Sequence, residues 1–242
     1  MALPPFQGSE PEESLAADRR AAFAVQSGLG RLPAVLGDLF PEAALGERAC
    51  WCRQLAEFSL HLHRWSGRMN LVADGDRSAL VNKHLIPSLL IRSALEGVSH
   101  RQIVDVGSGA GLPGIPLKIV LPNNDFVLVE SRRRRASFLR EVVRRLALQR
   151  IAVENLRLEQ WRDSPRGGVD LVTARAVADP AVLFEQVRPI LAPGGHLLAF
   201  LPTDRSPSDM DPPPAEVRTV GWRDIEVRLG LWKQPSGIAH KK

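Results

Sequence analysis

Asp105-Val-Gly107-Ser108-Gly109-Ala-Gly111 sets three glycines at alternate positions just behind an acid. Glycine has no Cβ to penalise positive φ, so such a turn passes close to a ligand and faces it with backbone N–H groups. Asp105 is placed to order the turn and to approach a cationic end of the ligand. Glu130 follows Gly111 by 19 residues. A carboxylate at that spacing accepts hydrogen bonds from both hydroxyls of a ribose. The expected ligand is therefore linked to adenosine.

Two cofactors fit this register. Gly109-Ala-Gly111-Leu-Pro-Gly114 also spells GxGxxG, the dinucleotide fingerprint. A pyrophosphate needs free N–H groups at the following helix start, and Pro113 and Pro116 remove two donors there. That loss suits a ligand without phosphates, of which S-adenosylmethionine is one.

The elements that must position these groups follow from periodicity. Gln102–Val106 and Asp125–Glu130 read as short buried strands, and Ile151–Asn155, Val169–Thr173 and Gly195–Phe200 as three more. Ser131 is expected to cap a helix running to about Leu148, and Asp179-Pro180 to open another that ends near Pro193-Gly194. Strands alternating with helices make an α/β protein with a mostly parallel sheet flanked by helices. Upstream, Leu45, Ala49, Cys52, Leu55, Phe58, Leu62 and Trp65 recur at helical steps, predicting a helix that ends at Gly67. A second helical stretch spans 78–95, kinked at Pro87. The expected organisation is a flexible or weakly helical segment at 1–40 with a frayed start, a helical extension at 41–97, and a Rossmann-like core at 98–202. Residues 203–242 are expected to form a Pro-rich linker and a C-terminal edge strand over 225–231.

Composition sets outer limits. Hydrophobic residues at 44% and charged residues at 24% are globular values that exclude wholesale disorder. No apolar run is long enough to span a bilayer and the start lacks the plan of a signal peptide, so a cytoplasmic protein is expected. Cys50 and Cys52 lie two apart on one helix and are expected to be free thiols, with no metal site. The net charge of +5, with 27 arginines among 32 basic residues, suits a polyanionic partner.

The segment Asp105–Leu117 resembles the signature of the bacterial small-subunit ribosomal RNA methyltransferase G family, also called glucose-inhibited division protein B. The Leu-Pro-Gly-Ile-Pro extension at 112–116 separates that signature from general Rossmann methyltransferases. Val129-Glu-Ser131 with Arg134-Arg135 and Phe138-Leu139 is similar to the family's second-strand segment, and Thr173-Ala-Arg175-Ala-Val177-Ala178 to its fourth-strand motif. Trp65 to Asn70-Leu71 and Lys83-His84-Leu85 match upstream stretches.

The resemblance implies a class I methyltransferase fold and methyl transfer from S-adenosylmethionine to N7 of one guanosine in 16S small-subunit ribosomal RNA, within free RNA or the small ribosomal subunit. Cofactor contacts then fall on Gly107, Leu112, Leu158, Glu159 and Arg175, with Glu130 on the ribose and Asp105, Ser108, Gly109 and Gly111 forming the turn. Asn70, His84 and Arg175 become candidates for positioning the substrate, and the working unit is expected to be a monomer. Guanine N7 attacks as a neutral lone pair, so no catalytic base is required.

On the helix after Ser131, Arg133, Arg140 and Arg144 lie opposite the apolar stripe and are the expected RNA-phosphate contacts. His61 and His63 are expected at the surface and Trp65 in the core. The family's Lys-Gly pair after the fifth strand is replaced by Phe200-Leu-Pro202-Thr203, its Asn after the tryptophan by Ser66, and its Asp after the His84 segment by Pro87. Ile225–Trp232 lacks the family's Arg/His-rich ending. A relative that binds cofactor or RNA without transferring methyl or that has another RNA target, and a dinucleotide oxidoreductase, are the alternative readings.

Overall fold

The computed structural model describes residues 10–162, 168–175 and 179–237, the side chains of 10–17 and 162 apart. Helices α1 (Glu10–Leu29), α2 (Leu32–Leu39) and α3 (Leu45–Met69) come first. Broken helical turns follow, with α4 (Ile86–Leu90) at their centre. Strands and helices then alternate: β1 (Gln102–Val106), α5 (Gly114–Val120), β2 (Asp125–Val129), α6 (Arg133–Arg145), β3 (Ile151–Glu154), α7 (Leu158–Arg162), β4 (Val169–Ala174), α8 (Pro180–Val187) and β5 (Leu191–Phe200). The hairpin β6 (Glu216–Trp222) and β7 (Ile225–Lys233) completes the sheet.

The seven strands lie in the order β3-β2-β1-β4-β5-β7-β6. The first five are parallel, and β7 runs antiparallel to both β5 and β6. This is the expected Rossmann-like sheet. Strand order reverses beside β1, which has β2 on one side and β4 on the other, and ligands of open parallel sheets bind at such a point. Residues of β2 alternate between layers: Phe126 and Leu128 join the cores under α5 and α6, whereas Val129 joins the core under α7 and α8.

Local chemistry explains the element ends. In α3 the buried residues Trp51, Leu55, Phe58 and Leu62 follow helical spacing, each fully buried leucine contributing roughly 1.5–3 kcal/mol. Leu45, assigned to this stripe from its spacing, is exposed, because Glu47 closes the first turn by accepting from Ala44 N. The helix continues past Gly67 to Met69 and stops where Asn70 turns left-handed at φ 47°. The 78–95 stretch is not one helix: a π-turn over Val81–Leu85, α4 and a 3₁₀ turn over Ile91–Leu95 succeed one another around Pro87. Asp179 caps α8 as expected, Oδ1 accepting from Ala181 N at 2.9 Å.

Further expectations need correction: α8 ends at Val187, so Pro193 and Gly194 lie within β5 rather than at the helix end. Ser131 does not cap α6, which begins after Arg132 with no side-chain cap, Glu130 Oε1 accepting from Arg132 N instead. β7 is not the sheet edge, because β6 pairs outside it. His61 and His63 are 7% and 6% exposed, since α1 packs against α3 along one flank and α6 along another. The segment between β5 and β6 packs onto the fold, with Met210 buried and Trp232 Nε1 donating to Pro212 O.

Candidate functional site

The glycine turn leaves β1 with Gly107 at φ 66°, Gly109 at 50° and Gly111 at 83°. Gly107 N and Ser108 N both donate to Val129 O, and Ser108 Oγ donates to Asp105 O, so the turn is pinned to both strands. Glu130, 4% exposed, accepts from Gly109 N at 2.9 Å through Oε2 and from Arg132 N at 2.7 Å through Oε1. Each oxygen keeps a further lone pair, the capacity that a ribose diol needs.

The glycines serve different ends. A Cβ at Gly111 would lie 2.8 Å from Ile115 Cγ1, and one at Gly114 would lie 2.7 Å from Asp105 Oδ2, so these two are required by packing. At Gly109 the nearest atoms are Gly107 O at 3.5 Å, Arg135 Nη1 at 3.6 Å and Glu130 Oε2 at 3.9 Å. Gly109 therefore leaves a cradle that a side chain would fill. The helix start offers little to a pyrophosphate: Pro113 and Pro116 lack N–H groups, and Ile115 N and Leu117 N are already bonded to Gly111 O and Pro113 O.

Asp105 lies beneath the turn, 1% exposed. Its Oδ1 accepts from Thr173 Oγ1 at 2.9 Å, while Oδ2 is buried against the start of α5 beside Gly114. Burial pushes its carboxyl up to about 7, against the restraining bond from Thr173.

Tertiary packing brings two groups of residues to this edge of the sheet. Arg135, in the first turn of α6, donates from Nη2 to Asn70 O at 3.1 Å while its Nη1 stands at Gly109. Arg175, just past β4, donates to Lys83 O at 2.6 Å and His84 O at 3.4 Å, and its guanidinium lies 4.8 Å from the Phe200 ring centroid. Phe200, the last residue of β5, thus offers its aromatic face to the Arg175 guanidinium. His84 Nε2 is buried, 3.4 Å from Asp76 Oδ2 but not hydrogen-bonded to it, and Lys83 Nζ holds Asp76 Oδ1 at 2.6 Å. Burial first and the Arg175 charge second push the His84 imidazole down to about 4, so it is neutral at pH 7.

Leu112 and Leu158 are half-buried, Glu159 is exposed, and Ala176, Val177 and Ala178 of the fourth-strand motif lie outside the described residues. Arg133, Arg140 and Arg144 are exposed on α6. Arg140 donates to Val153 O, and Arg133 borders a groove shared with Trp65, which is half-buried and packs against the core. Among the described residues no cluster of His, Cys, Asp and Glu could hold a metal ion, and no helix is long and apolar enough to cross a membrane. Sequence reasoning did not assign Arg135 or Asp76 to the site. The available signal was that Arg135 falls in the first turn of the helix that starts beside Glu130.

Residues 51–205, which carry all these groups, match the family described as rRNA small subunit methyltransferase G. The chain is 40% identical over 161 residues to ribosomal RNA small subunit methyltransferase G of Chloroflexus aggregans, covering 64% of this chain and 66% of that one. It is 37% identical over 151 residues to the protein of that name from Desulfitobacterium hafniense, covering 60% and 62%. With the one from Leptothrix cholodnii it shares 33% over 187 residues, covering 74% and 84%. The match thus spans slightly less than two thirds of the first two relatives' length. On the extent of these matches, this chain belongs to the rRNA small subunit methyltransferase G family.

Proposed function

We propose that this protein transfers a methyl group from S-adenosylmethionine to N7 of a guanosine in 16S small-subunit ribosomal RNA. The observation that carries this reading is the Glu130–Gly109 hydrogen bond at the switch point of the sheet, beside a helix start where Pro113 and Pro116 lack N–H groups and Ile115 N and Leu117 N are already bonded. The cofactor supplies an electrophilic sulfonium methyl. Glu130 holds the ribose, the Gly107–Gly111 turn with Ser108 closes on the nucleoside, and Leu112, Leu158 and Glu159 border the adenine. Asp105 acts from below by fixing the turn.

Asn70 and His84 position the guanine, and Arg175 shapes the site by holding the Lys83 and His84 carbonyls. Positive charge moves onto the guanine ring during transfer, so a neutral His84 avoids the penalty that a buried imidazolium would impose. No group is needed to take a proton from N7 before attack, and alignment supplies most of the acceleration. Of the three expected contacts Arg133, Arg140 and Arg144, Arg133 is best placed for RNA because it borders the Trp65 groove. One chain carries every group named, so a monomer acting in the cytoplasm is the expected form.

The reading is tested by incubating the protein with labelled S-adenosylmethionine and ribosomal RNA of either subunit. Label entering small-subunit RNA alone is expected. Label in large-subunit RNA, or none in either while the cofactor binds, would overturn it.

A further inference from the structure

Arginines and aromatic rings gather beside α3, outside the cofactor cradle. An open groove of about 1000 Å³ runs between α1 and α3, bordered by Arg64, Arg68, Arg77 and Arg145. Phe23, 77% exposed, stands on its α1 bank, and Trp65 lines both this groove and a neighbouring one of about 420 Å³ against α6. Asp18 pairs with Arg77 at 2.9 Å and Glu57 with Arg145 at 2.8 Å. Arg64 and Arg68 have no ion pair among the described residues, and the Arg68 guanidinium lies 5.8 Å from the Trp65 ring centroid.

Polar side chains also border the groove. Among the described residues His61 Nε2, His63 Nδ1 and Arg77 Nε are buried with no hydrogen-bond partner, and all three residues lie along it. Glu141 Oε1 stands 3.5 Å from His61 Nε2 but does not hydrogen-bond to it. Arginines with free charge beside open aromatic faces are the combination that binds single-stranded nucleic acid, phosphates on the cations and bases on the rings.

The groove also leads to the cradle. From Trp65, α3 runs five residues to Asn70, about 7.5 Å of helix rise. The Asn70 carbonyl is held by Arg135 beside Gly109. We infer that this groove is the docking surface for a single-stranded segment of the substrate RNA, with phosphates on Arg64 and Arg68 and a base stacked on Trp65. The choice of RNA over another polyanion rests on the methyltransferase reading above.

The test is binding of protein-free small-subunit ribosomal RNA to the full chain across a range of salt concentrations, with S-adenosylmethionine affinity measured in parallel. Arg64→Glu with Arg68→Glu is expected to raise Kd at least tenfold. It should also lower the salt slope by about 1.4, the value for two single-strand phosphate contacts. Trp65→Ala is expected to weaken binding roughly 5- to 100-fold, the range for one stacked base, while Trp65→Phe keeps most of the affinity. Arg53→Glu, on an exposed part of α3, is the control expected to bind almost as the wild type does. Cofactor affinity should stay unchanged in every variant. If the wild type binds and methylates RNA but the Arg64/Arg68 variant keeps its Kd and slope, the groove assignment falls alone. If the wild type binds cofactor but neither binds nor methylates the RNA, free or within the small subunit, the proposed function falls with it.

Discussion

Glu130 Oε2 accepts the Gly109 N–H at 2.9 Å, tying the end of β2 to the middle of the turn that leaves β1. One carboxylate therefore shapes the cradle, and in the proposed function the same group accepts from the ribose. Glu130→Ala is expected to lower S-adenosylmethionine affinity roughly 10- to 100-fold, the value of one or two charge-assisted hydrogen bonds. Isothermal titration measures this, and NAD should give no binding heat with either protein.

Gly109 and Gly114 separate cradle from packing. Gly114→Ala sets a Cβ 2.6 Å from Leu128 Cδ2 and 2.7 Å from Asp105 Oδ2, so it should lower unfolding free energy by about 1–3 kcal/mol. Gly109→Ala meets nothing closer than 3.5 Å and pays only the positive-φ cost of about 1–2 kcal/mol, yet it should remove most cofactor binding. Denaturant titration and cofactor titration of the two variants check the pattern.

Asp105 carries a pH signature. Its folded pKa of about 7 lies above the ordinary 3.8, so between those values the folded chain binds more protons than the unfolded chain. Its contribution therefore weakens as pH rises from about 4 to about 7 and levels off above. Asp105→Asn, which stays neutral and can still accept from Thr173, removes this slope. The stability of the variant relative to wild type should rise across that window, as denaturant unfolding at a series of pH values would record.

Arg175 joins three elements through the Lys83 and His84 carbonyls and the Phe200 ring. Arg175→Met should lower stability by about 1–3 kcal/mol and slow methyl transfer, and Arg175→Lys should restore little, because one ammonium does not reproduce a planar fork. Its positive charge also depresses the His84 pKa. In Arg175→Met the His84 imidazole should titrate higher than about 4, which histidine NMR would detect.

The cradle was legible in sequence because its parts are local. Three glycines, the acid before them and the carboxylate after them belong to one strand–turn–helix–strand unit whose spacing repeats across nucleoside-binding sheets. Arg135 with Asn70, and Arg175 with His84, meet across 65 and 91 residues, and no periodicity encodes such contacts. β6 was missed because Glu216–Trp222 is mostly exposed and follows a Pro-rich stretch, so it lacks the apolar signal of a buried strand. His61 and His63 looked superficial because a one-sided helix was assumed, whereas α3 is packed along two flanks.

The most direct test of the central claim is to methylate small-subunit RNA with the purified protein and cleave the chain chemically at 7-methylguanosine. Cleavage at one guanosine, lost with Glu130→Ala, is the predicted result. Methyl transfer with no such cleavage would contradict N7 chemistry, and cofactor binding without any transfer would mark a relative that keeps the cradle without the reaction.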